Sequence, residues 1–196
     1  RVTFRDFKAS LEGRRGLLRP YNNAVRFSPE TIWFVIRSLI KGSDSSEIFD
    51  PDDYESEIPE NDRLVSVEDF TSIFANEYQW YQRQLETLNL WDDQELVKAV
   101  LSTDNPQSER FRDVTALVVD EAQDFTRCEL RLLARNLVYT RYAIPNLYDI
   151  RVPIVLAGDP LQTLSPTGFK WQTIRSAFFS ELRSMLGDKA HTPEYY

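Results

Sequence analysis

The stretch ALVVDEAQDF, residues 116–125, places four apolar residues directly before a run of acids. The apolar half belongs to VTALVV, residues 114–119, which is rich in β-branched side chains and has the length of a buried strand. Asp120, Glu121 and Asp124 follow where this strand would end. The order predicts a strand that anchors the segment in a core and presents its carboxylates at the carboxyl edge of a sheet.

A second apolar run of strand length, VPIVLAG at residues 152–158, lies further along the chain. The segment between the two runs, RCELRLLARNLVYTR at residues 127–141, has a helical pattern. Strand, helix and strand within about 45 residues indicate a βαβ unit, whose strands lie parallel and are buried on both faces. The second strand would bring Asp159 and Gln162 to the same edge as the first acids.

Carboxylates crowded at one sheet edge repel one another unless a cation or a bound donor compensates their charge. A hydrated Mg²⁺ held through one carboxylate, together with substrate phosphates, would provide this compensation. A simpler interpretation is that Asp120 and Asp124 cap the following helix, because Asp is favoured at helix N-termini. The whole cluster, matched by GDPLQ at residues 158–162, favours a binding site over capping alone.

The residues before 111 carry helical patterns. In SPETIWFVIRSLIKG, residues 28–42, Ser28 is placed as an N-cap and Pro29 stands at the first helical position. Apolar residues recur at steps of three and four in SVEDFTSIFANEYQWYQRQLETLN, residues 66–89. The segment DDQELVKAVLS, residues 92–102, predicts a further helix.

Three aromatic residues in the second of these patterns, Tyr78, Trp80 and Tyr81, allow two interpretations. They could form a platform on which bases stack. At helical spacing, however, aromatic residues more often pack into a core, and we favour that interpretation.

Charge is unevenly distributed along the chain. The net charge is −8, and residues 43–62 contain nine acids, two prolines and no Lys or Arg. This stretch predicts an exposed acidic connection or a short, weak helix. Because non-specific affinity for nucleic acid comes mainly from Lys and Arg, any such contact must be local or shared with other segments.

The chain contains one cysteine, Cys128, and one histidine, His191. A disulfide framework, a zinc cluster and an internal Cys/His catalytic pair are therefore not expected. No uninterrupted apolar stretch reaches about 18 residues, so the sequence predicts no membrane span. These features favour an intracellular protein.

The two strand ends resemble a known pair of motifs. VVDEAQD (118–124), followed by IVLAGDPLQT (154–163), is similar to motifs II and III of the UvrD/Rep-type superfamily 1 helicases, nucleic-acid-dependent ATPases built on RecA-like domains. In that family, motif II is the DExx form of the Walker B box and motif III is a GDxxQ segment. A looser similarity to divergent UvrD-like proteins extends to IWFVIRSLIKG, LWDDQELVKAVL and SPTGFKWQTIRSAFF.

The resemblance implies an α/β fold for the second part of the chain. Residues 111–196 would form part of a P-loop NTPase (RecA-like) parallel sheet with helices, carrying motifs II and III. Residues 1–110 would form a mainly helical insertion that includes the acidic connection at 43–62.

The resemblance also implies roles for individual residues. Asp120 would hold the Mg²⁺ of bound ATP, and Glu121 would be the general base for the attacking water and a second candidate metal ligand. Gln123 would contact the nucleotide site and link it to neighbouring motifs, and Gln162 would sense the γ-phosphate. Two further acids would support the site: Asp124 and Asp159.

After Gln162 the family usually reaches an aromatic residue that stacks on a single-stranded base. Phe169 and Trp171 are the candidates here, with Trp171 favoured. The alternative is that both pack beneath the amphipathic helix predicted at residues 171–187.

The phosphate-binding loop of such ATPases, GxxxxGK[ST], does not occur in the sequence. We therefore expect the chain to be the back half of the first motor domain of a longer helicase. It would act together with the remaining motor domains and would hydrolyse ATP poorly by itself. The helicase is expected to move along single-stranded nucleic acid, with DNA favoured over RNA. Two alternatives remain: a regulatory or protein-interaction module with a motor-like fold but no ATPase activity, and a metal-dependent nuclease, which leaves GDPLQT unexplained.

Overall fold

The computed structural model describes residues 1–18, 27–43, 48–103, 116–138 and 154–159. The chain divides into two compact units, which we call the helical unit (residues 1–96) and the sheet unit (residues 97–196). The helical unit contains α1 (Phe4–Leu18), α2 (Pro29–Phe34), α3 (Pro51–Glu57), α4 (Val67–Ile73), α5 (Gln79–Leu88) and the start of α6 (Asp93–Leu101). The described part of the sheet unit contains the end of α6, β1 (Leu117–Val119), α7 (Arg127–Val138) and β2 (Ile154–Leu156).

Helix α2 begins where the sequence predicts. Ser28 Oγ accepts a hydrogen bond from the Thr31 amide at 3.0 Å, and Pro29 stands at the first helical position. The helix continues as a π-helical stretch, Val35–Ile40, in which the hydrogen-bonding period lengthens by one residue. The predicted helix at 28–42 is therefore confirmed, with a change of period that the sequence pattern does not reveal.

Helices α4 and α5 belong to one continuous helical segment, as the apolar repeat predicts. Ser66 Oγ accepts from the Asp69 amide at 3.0 Å and caps α4. A second π-helical stretch, Phe74–Tyr78, joins α4 to α5, and α5 ends at Asn89 in the left-handed region, φ 50°. The predicted helix at 66–89 is confirmed, and α6 confirms the helix predicted at 92–102.

The core of the helical unit combines aromatic and aliphatic side chains. Tyr78 and Tyr81 are buried and Trp80 packs against the same cluster, which confirms the core interpretation of these aromatics. Tyr54 stacks on Phe70 with ring centroids 4.2 Å apart. The aliphatic residues that are fully buried in this core are Leu11, Ile32, Val35, Ile36, Ile40 and Ile73.

The acidic stretch at 43–62 forms a short helix, α3, over part of its length. Asp50 and Asp53 make a capping box, in which Asp50 Oδ1 accepts from the Asp53 amide at 2.9 Å. Tyr54 is buried, and its hydroxyl donates to the Val65 carbonyl at 2.8 Å. The short-helix alternative is thus confirmed, and one aromatic side chain anchors the helix to the core.

A buried ion cluster lies between the end of the first π-helical stretch and the start of α6. Lys41 and Asp92 are buried, with Nζ 2.6 Å from Asp92 Oδ2 and 3.1 Å from Glu95 Oε1. The Tyr81 hydroxyl donates to Asp92 Oδ2 at 3.0 Å. Asp92 Oδ1 also accepts from the Glu95 amide at 3.0 Å, so the same carboxylate caps α6.

The phenol of Tyr81 should make the helical unit sensitive to alkali. Burial, reinforced by the negative charge of Asp92, raises the pKa of Tyr81 far above its ordinary value. The unfolded state can release this proton above about pH 10, whereas the folded state retains it, so the stabilising contribution is complete below that pH and is lost above it. We expect urea unfolding to show that Tyr81→Phe loses less stability than the wild type between about pH 8 and about pH 11. A constant difference between the two proteins across this range would contradict the expectation.

Strands β1 and β2 pair in parallel, as the sequence predicts, with Leu117 opposite Ile154 and Val119 opposite Leu156. The expected burial on both faces is wrong for the described pair. Val119 is buried, but Val118 is 72% exposed, and its register partner Val155 is 59% exposed. The covered face of β1 therefore lies on the side of Val119.

Helix α7 confirms the predicted helix over Arg127–Val138. It begins with a reciprocal cap, in which the Thr126 amide donates to Glu129 Oε2 at 2.7 Å and the Glu129 amide donates to Thr126 Oγ1 at 3.3 Å. Among its residues up to 135, whose burial is described, Cys128, Leu130 and Ala134 are buried. The helix predicted at 171–187 lies outside the described residues. Within the described ranges, no helix is both long and apolar enough to cross a membrane.

Candidate functional site

Hydrogen bonds between the two strand ends continue beyond the paired residues of the sheet. The Ala157 amide donates to the Val119 carbonyl, and the Ala122 amide donates to the Ala157 carbonyl, each at 2.8 Å. The Asp159 amide then donates to Gln123 Oε1 at 3.1 Å. At this last step the side chain of Gln123 takes the place of a main-chain carbonyl of the first strand.

The first strand turns away from the second at Glu121. This residue adopts the left-handed conformation, φ 52° and ψ 41°, and a 3₁₀ turn, Ala122–Asp124, follows it. Among the described residues, the other non-glycine residue with positive φ is Asn89, a residue type that tolerates this region well. Glu is not such a type, and the conformation costs about 1–2 kcal/mol, as is typical of positions held for function.

Two contacts hold Glu121 in this conformation. Its amide donates to Asp120 Oδ1 at 2.9 Å, and its carboxylate Oε2 accepts from Gln123 Nε2. The side chains of Asp120 and Glu121 are exposed, whereas Gln123 is buried. The site therefore presents two accessible carboxylates, one of which is oriented by a buried carboxamide.

Gly158 leaves the space that this carboxamide occupies. A Cβ atom at this position would lie 2.4 Å from Gln123 Oε1 and 3.1 Å from the Ala122 nitrogen. The first distance is far below van der Waals contact, so any larger residue would displace the Gln123 side chain. Sequence reasoning missed this role, and the available signal is the pair of small residues, Ala157 and Gly158, directly after the strand.

The structure brings together some of the predicted site residues. Asp120, Glu121 and Gln123 lie together at the end of β1, and the Asp159 amide joins them from β2. Asp124 is exposed at the end of the 3₁₀ turn, and Asp159 is half-buried. Three predicted site residues lie outside the described residues: Gln162, Phe169 and Trp171.

The geometry does not favour helix capping as the role of Asp120. The cap of α7 is formed by Thr126 and Glu129. Asp120 is separated from that helix by the 3₁₀ turn, and its Oδ1 accepts from the neighbouring Glu121 amide. Its carboxylate is instead exposed at the carboxyl edge of the strand pair, where ligands bind in α/β sheets.

In the part of the chain that the structure describes, no three acidic, cysteine or histidine side chains are grouped closely enough to hold a metal ion. A complete protein cage for a cation is therefore not formed by these residues. Mg²⁺ commonly keeps several waters and binds through one or two carboxylates together with substrate phosphates. The exposed carboxylate of Asp120 fits this mode of binding.

No protein-family model, curated protein or solved structure matches the chain. The resemblance to UvrD/Rep-type helicases that the sequence predicts rests on residues 118–124 and 154–163 alone.

Proposed function

We propose that the chain is part of a UvrD-like ATP-dependent helicase or translocase, which couples MgATP hydrolysis to movement on single-stranded nucleic acid, DNA in preference to RNA. The observation that supports this most strongly is the arrangement of Glu121: an exposed carboxylate in a strained backbone conformation, held by the buried Gln123 carboxamide and adjacent to Asp120. All three residues lie at the carboxyl end of a parallel strand. The strained backbone of Glu121, its exposed carboxylate and the buried group that orients it together favour a catalytic role for this residue over a purely structural one.

The donor chemistry at this edge fits MgATP. When bound, MgATP would supply the γ-phosphoryl group and a metal ion that neutralises the developing charge. Asp120 would hold the metal, directly or through water, because its carboxylate directly follows the last residue of β1 and is exposed. Carboxylate oxygens are hard ligands of the type that Mg²⁺ prefers.

Glu121 acts as the general base that orients the attacking water and accepts its proton. Phosphoryl transfer depends on positioning and charge neutralisation more than on covalent chemistry, so a fixed carboxylate is a useful group. Gln123 fixes the direction of that carboxylate, and Gln162 senses the γ-phosphate. Asp124 and Asp159 support the site, and Trp171 or Phe169 stacks on a base of the track.

The remaining motor domains of the same polypeptide would complete the machinery. The chain contains no GxxxxGK[ST] segment, so the phosphate-binding lysine must come from another segment. The net charge of −8 likewise requires that most contacts with the phosphate backbone come from those domains.

The test is ATP hydrolysis by a polypeptide that carries this chain together with its phosphate-binding loop. Turnover is measured without nucleic acid, with single-stranded DNA and with single-stranded RNA. We expect single-stranded DNA to stimulate turnover most, and substitution of the loop lysine by Ala to abolish it. Turnover at background in a folded sample under all three conditions would overturn the proposal.

A second candidate is a protein-interaction or regulatory module that keeps a motor-like fold without ATPase activity. The acidic charge and the lack of a GxxxxGK[ST] segment favour it. The strained, oriented Glu121 is unexplained by this candidate, because an interaction module has no need of a fixed carboxylate at that edge. Absent turnover together with absent MgATP binding would favour the module.

A further inference from the structure

The hydrogen bonds of Gln123 define the type of residue that can stand at this position. Oε1 accepts from a main-chain amide, that of Asp159, and Nε2 donates to a carboxylate, that of Glu121. A main-chain N–H can only donate and an ionised carboxylate can only accept, so the partners fix the orientation of the carboxamide. An ionised glutamate could not donate to Glu121. A methionine of similar length has no donor for Glu121 and only a weak acceptor for the Asp159 amide.

From this geometry we propose that Gln123 and Gly158 form a clamp that ties the orientation of the Glu121 carboxylate to the Gly158–Asp159 peptide. Gln123 is the positioning residue. Gly158 is required because its missing Cβ leaves room for the Gln123 carboxamide, which a Cβ would approach to 2.4 Å. The catalytic consequence of the clamp rests on the proposed function, whereas the clamp itself can be tested without it.

The clamp transmits displacement in a defined direction. The Gln123 side chain is buried, and its two ends are bonded to groups on different strand ends. A shift of the Gly158–Asp159 peptide would therefore move the carboxamide and, through Nε2, the carboxylate of Glu121. Under the proposed function, the position of the second strand end would thereby set the direction of the Glu121 carboxylate.

Hydrogen exchange of the Asp159 amide tests the clamp in the 196-residue chain. We expect this amide to be protected in the wild type and to exchange at least about tenfold faster in Gln123→Met, because the acceptor is lost while the side-chain length is kept. Gly158→Ala should have a similar effect by displacing the carboxamide. Gly13→Ala is the matched control, because a Cβ there meets nothing within 4 Å. Unchanged exchange in Gln123→Met would overturn the clamp.

Steady-state hydrolysis in the longer polypeptide tests the catalytic consequence. We expect Gln123→Met to lower kcat about 100-fold, because misplacement of a catalytic group by about 1 Å has effects of this size. KM for ATP should change less than about threefold, because the lost contact acts on the reacting state. Gln82→Met is the control: it removes another glutamine–glutamate bond, to Glu95 at 3.2 Å in the helical unit, and should leave kcat within about twofold.

A double substitution separates the clamp from general damage. In a Gln123→Ala background the carboxamide that Gly158→Ala would displace is already gone, and only the main-chain contacts of the added Cβ remain, 3.1 Å to the Ala122 nitrogen and 3.3 Å to the residue 123 nitrogen. Adding Gly158→Ala should therefore lower kcat much less in this background than in the wild type. Full additivity of the two changes would overturn the assignment of Gly158.

Wild-type kcat in Gln123→Met would overturn the positioning role of Gln123 even if hydrogen exchange confirms the clamp. If the wild type itself shows no turnover, the proposed function and the catalytic role fall together, and the Asp159 exchange alone decides whether the clamp exists.

Discussion

Glu121→Gln is expected to lower nucleic-acid-stimulated ATP hydrolysis by about 10²- to 10⁴-fold, because the substitution removes the proposed general base. The carboxamide of the new side chain has nearly the same shape as the carboxylate, and its oxygen can still accept from Gln123 Nε2. The left-handed backbone and the clamp should therefore survive. Binding of MgATP should change little, because Asp120 and the phosphate-binding loop are untouched.

The measurement is turnover of the longer polypeptide with single-stranded DNA, accompanied by nucleotide titration calorimetry. Glu86→Gln is a matched control, since it makes the same chemical change at an exposed glutamate of α5 and should leave kcat within about twofold. Loss of turnover with retained binding would identify Glu121 as a group that acts on the reacting state. Turnover equal to the wild type would remove Glu121 from the mechanism, and loss of binding would mean that its role is to hold the nucleotide.

Local signals were sufficient to predict most helices of the helical unit. Ser28 and Ser66 accept the hydrogen bonds that their positions before apolar repeats suggest. Each of these caps depends only on residues within four positions along the chain, so the local sequence is enough to predict where the helix begins. The parallel pairing of β1 and β2 was likewise predictable, because two strands joined through a helix pair in parallel when they are neighbours.

Features that depend on distant residues were not predictable in this way. Helix α1 has a weak pattern of its own, but Phe7 and Leu11 are buried against the core that later helices provide. Tyr54 lies in a stretch dominated by acids, and its anchoring bond goes to Val65, eleven positions away. The two π-helical stretches change the period inside apolar repeats that remain continuous in sequence.

The candidate site shows the same division between local and distant causes. That Asp120 and Glu121 would follow a strand end could be predicted, because the apolar run stops directly before them. The left-handed backbone of Glu121 could not, because Glu disfavours that region and local preference points the other way. The contact between Gln123 and the Asp159 amide joins residues 36 positions apart, so it depends on the pairing of the strands.

Lys41→Met is expected to lower the free energy of unfolding of the helical unit by about 3–5 kcal/mol, the range seen when one partner of a buried ion pair is removed. Lys41 lies with Nζ 2.6 Å from Asp92 Oδ2, and both side chains are only 6% exposed. Met keeps most of the volume of the Lys stem, so the change removes the cation and leaves the buried Asp92 carboxylate with hydrogen bonds from Tyr81 and the Glu95 amide but no opposite charge. Urea unfolding followed by tryptophan fluorescence suits the measurement, because Trp33, Trp80 and Trp91 lie in this unit.

Two further variants separate charge from packing in this cluster. Lys8→Met removes an ion pair of similar length, 2.9 Å to Glu30, in which both side chains are exposed, and it should change stability far less. Lys41→Met combined with Asp92→Asn should recover part of the loss, because Asn remains a good N-cap for α6 while the uncompensated charge disappears. If the double variant is no more stable than Lys41→Met alone, the cost lies in lost packing or hydrogen bonding and not in the buried charge of Asp92. A loss for Lys41→Met as small as that for Lys8→Met would show that water reaches the cluster and screens it, since burial is what makes removal of one charge so unfavourable.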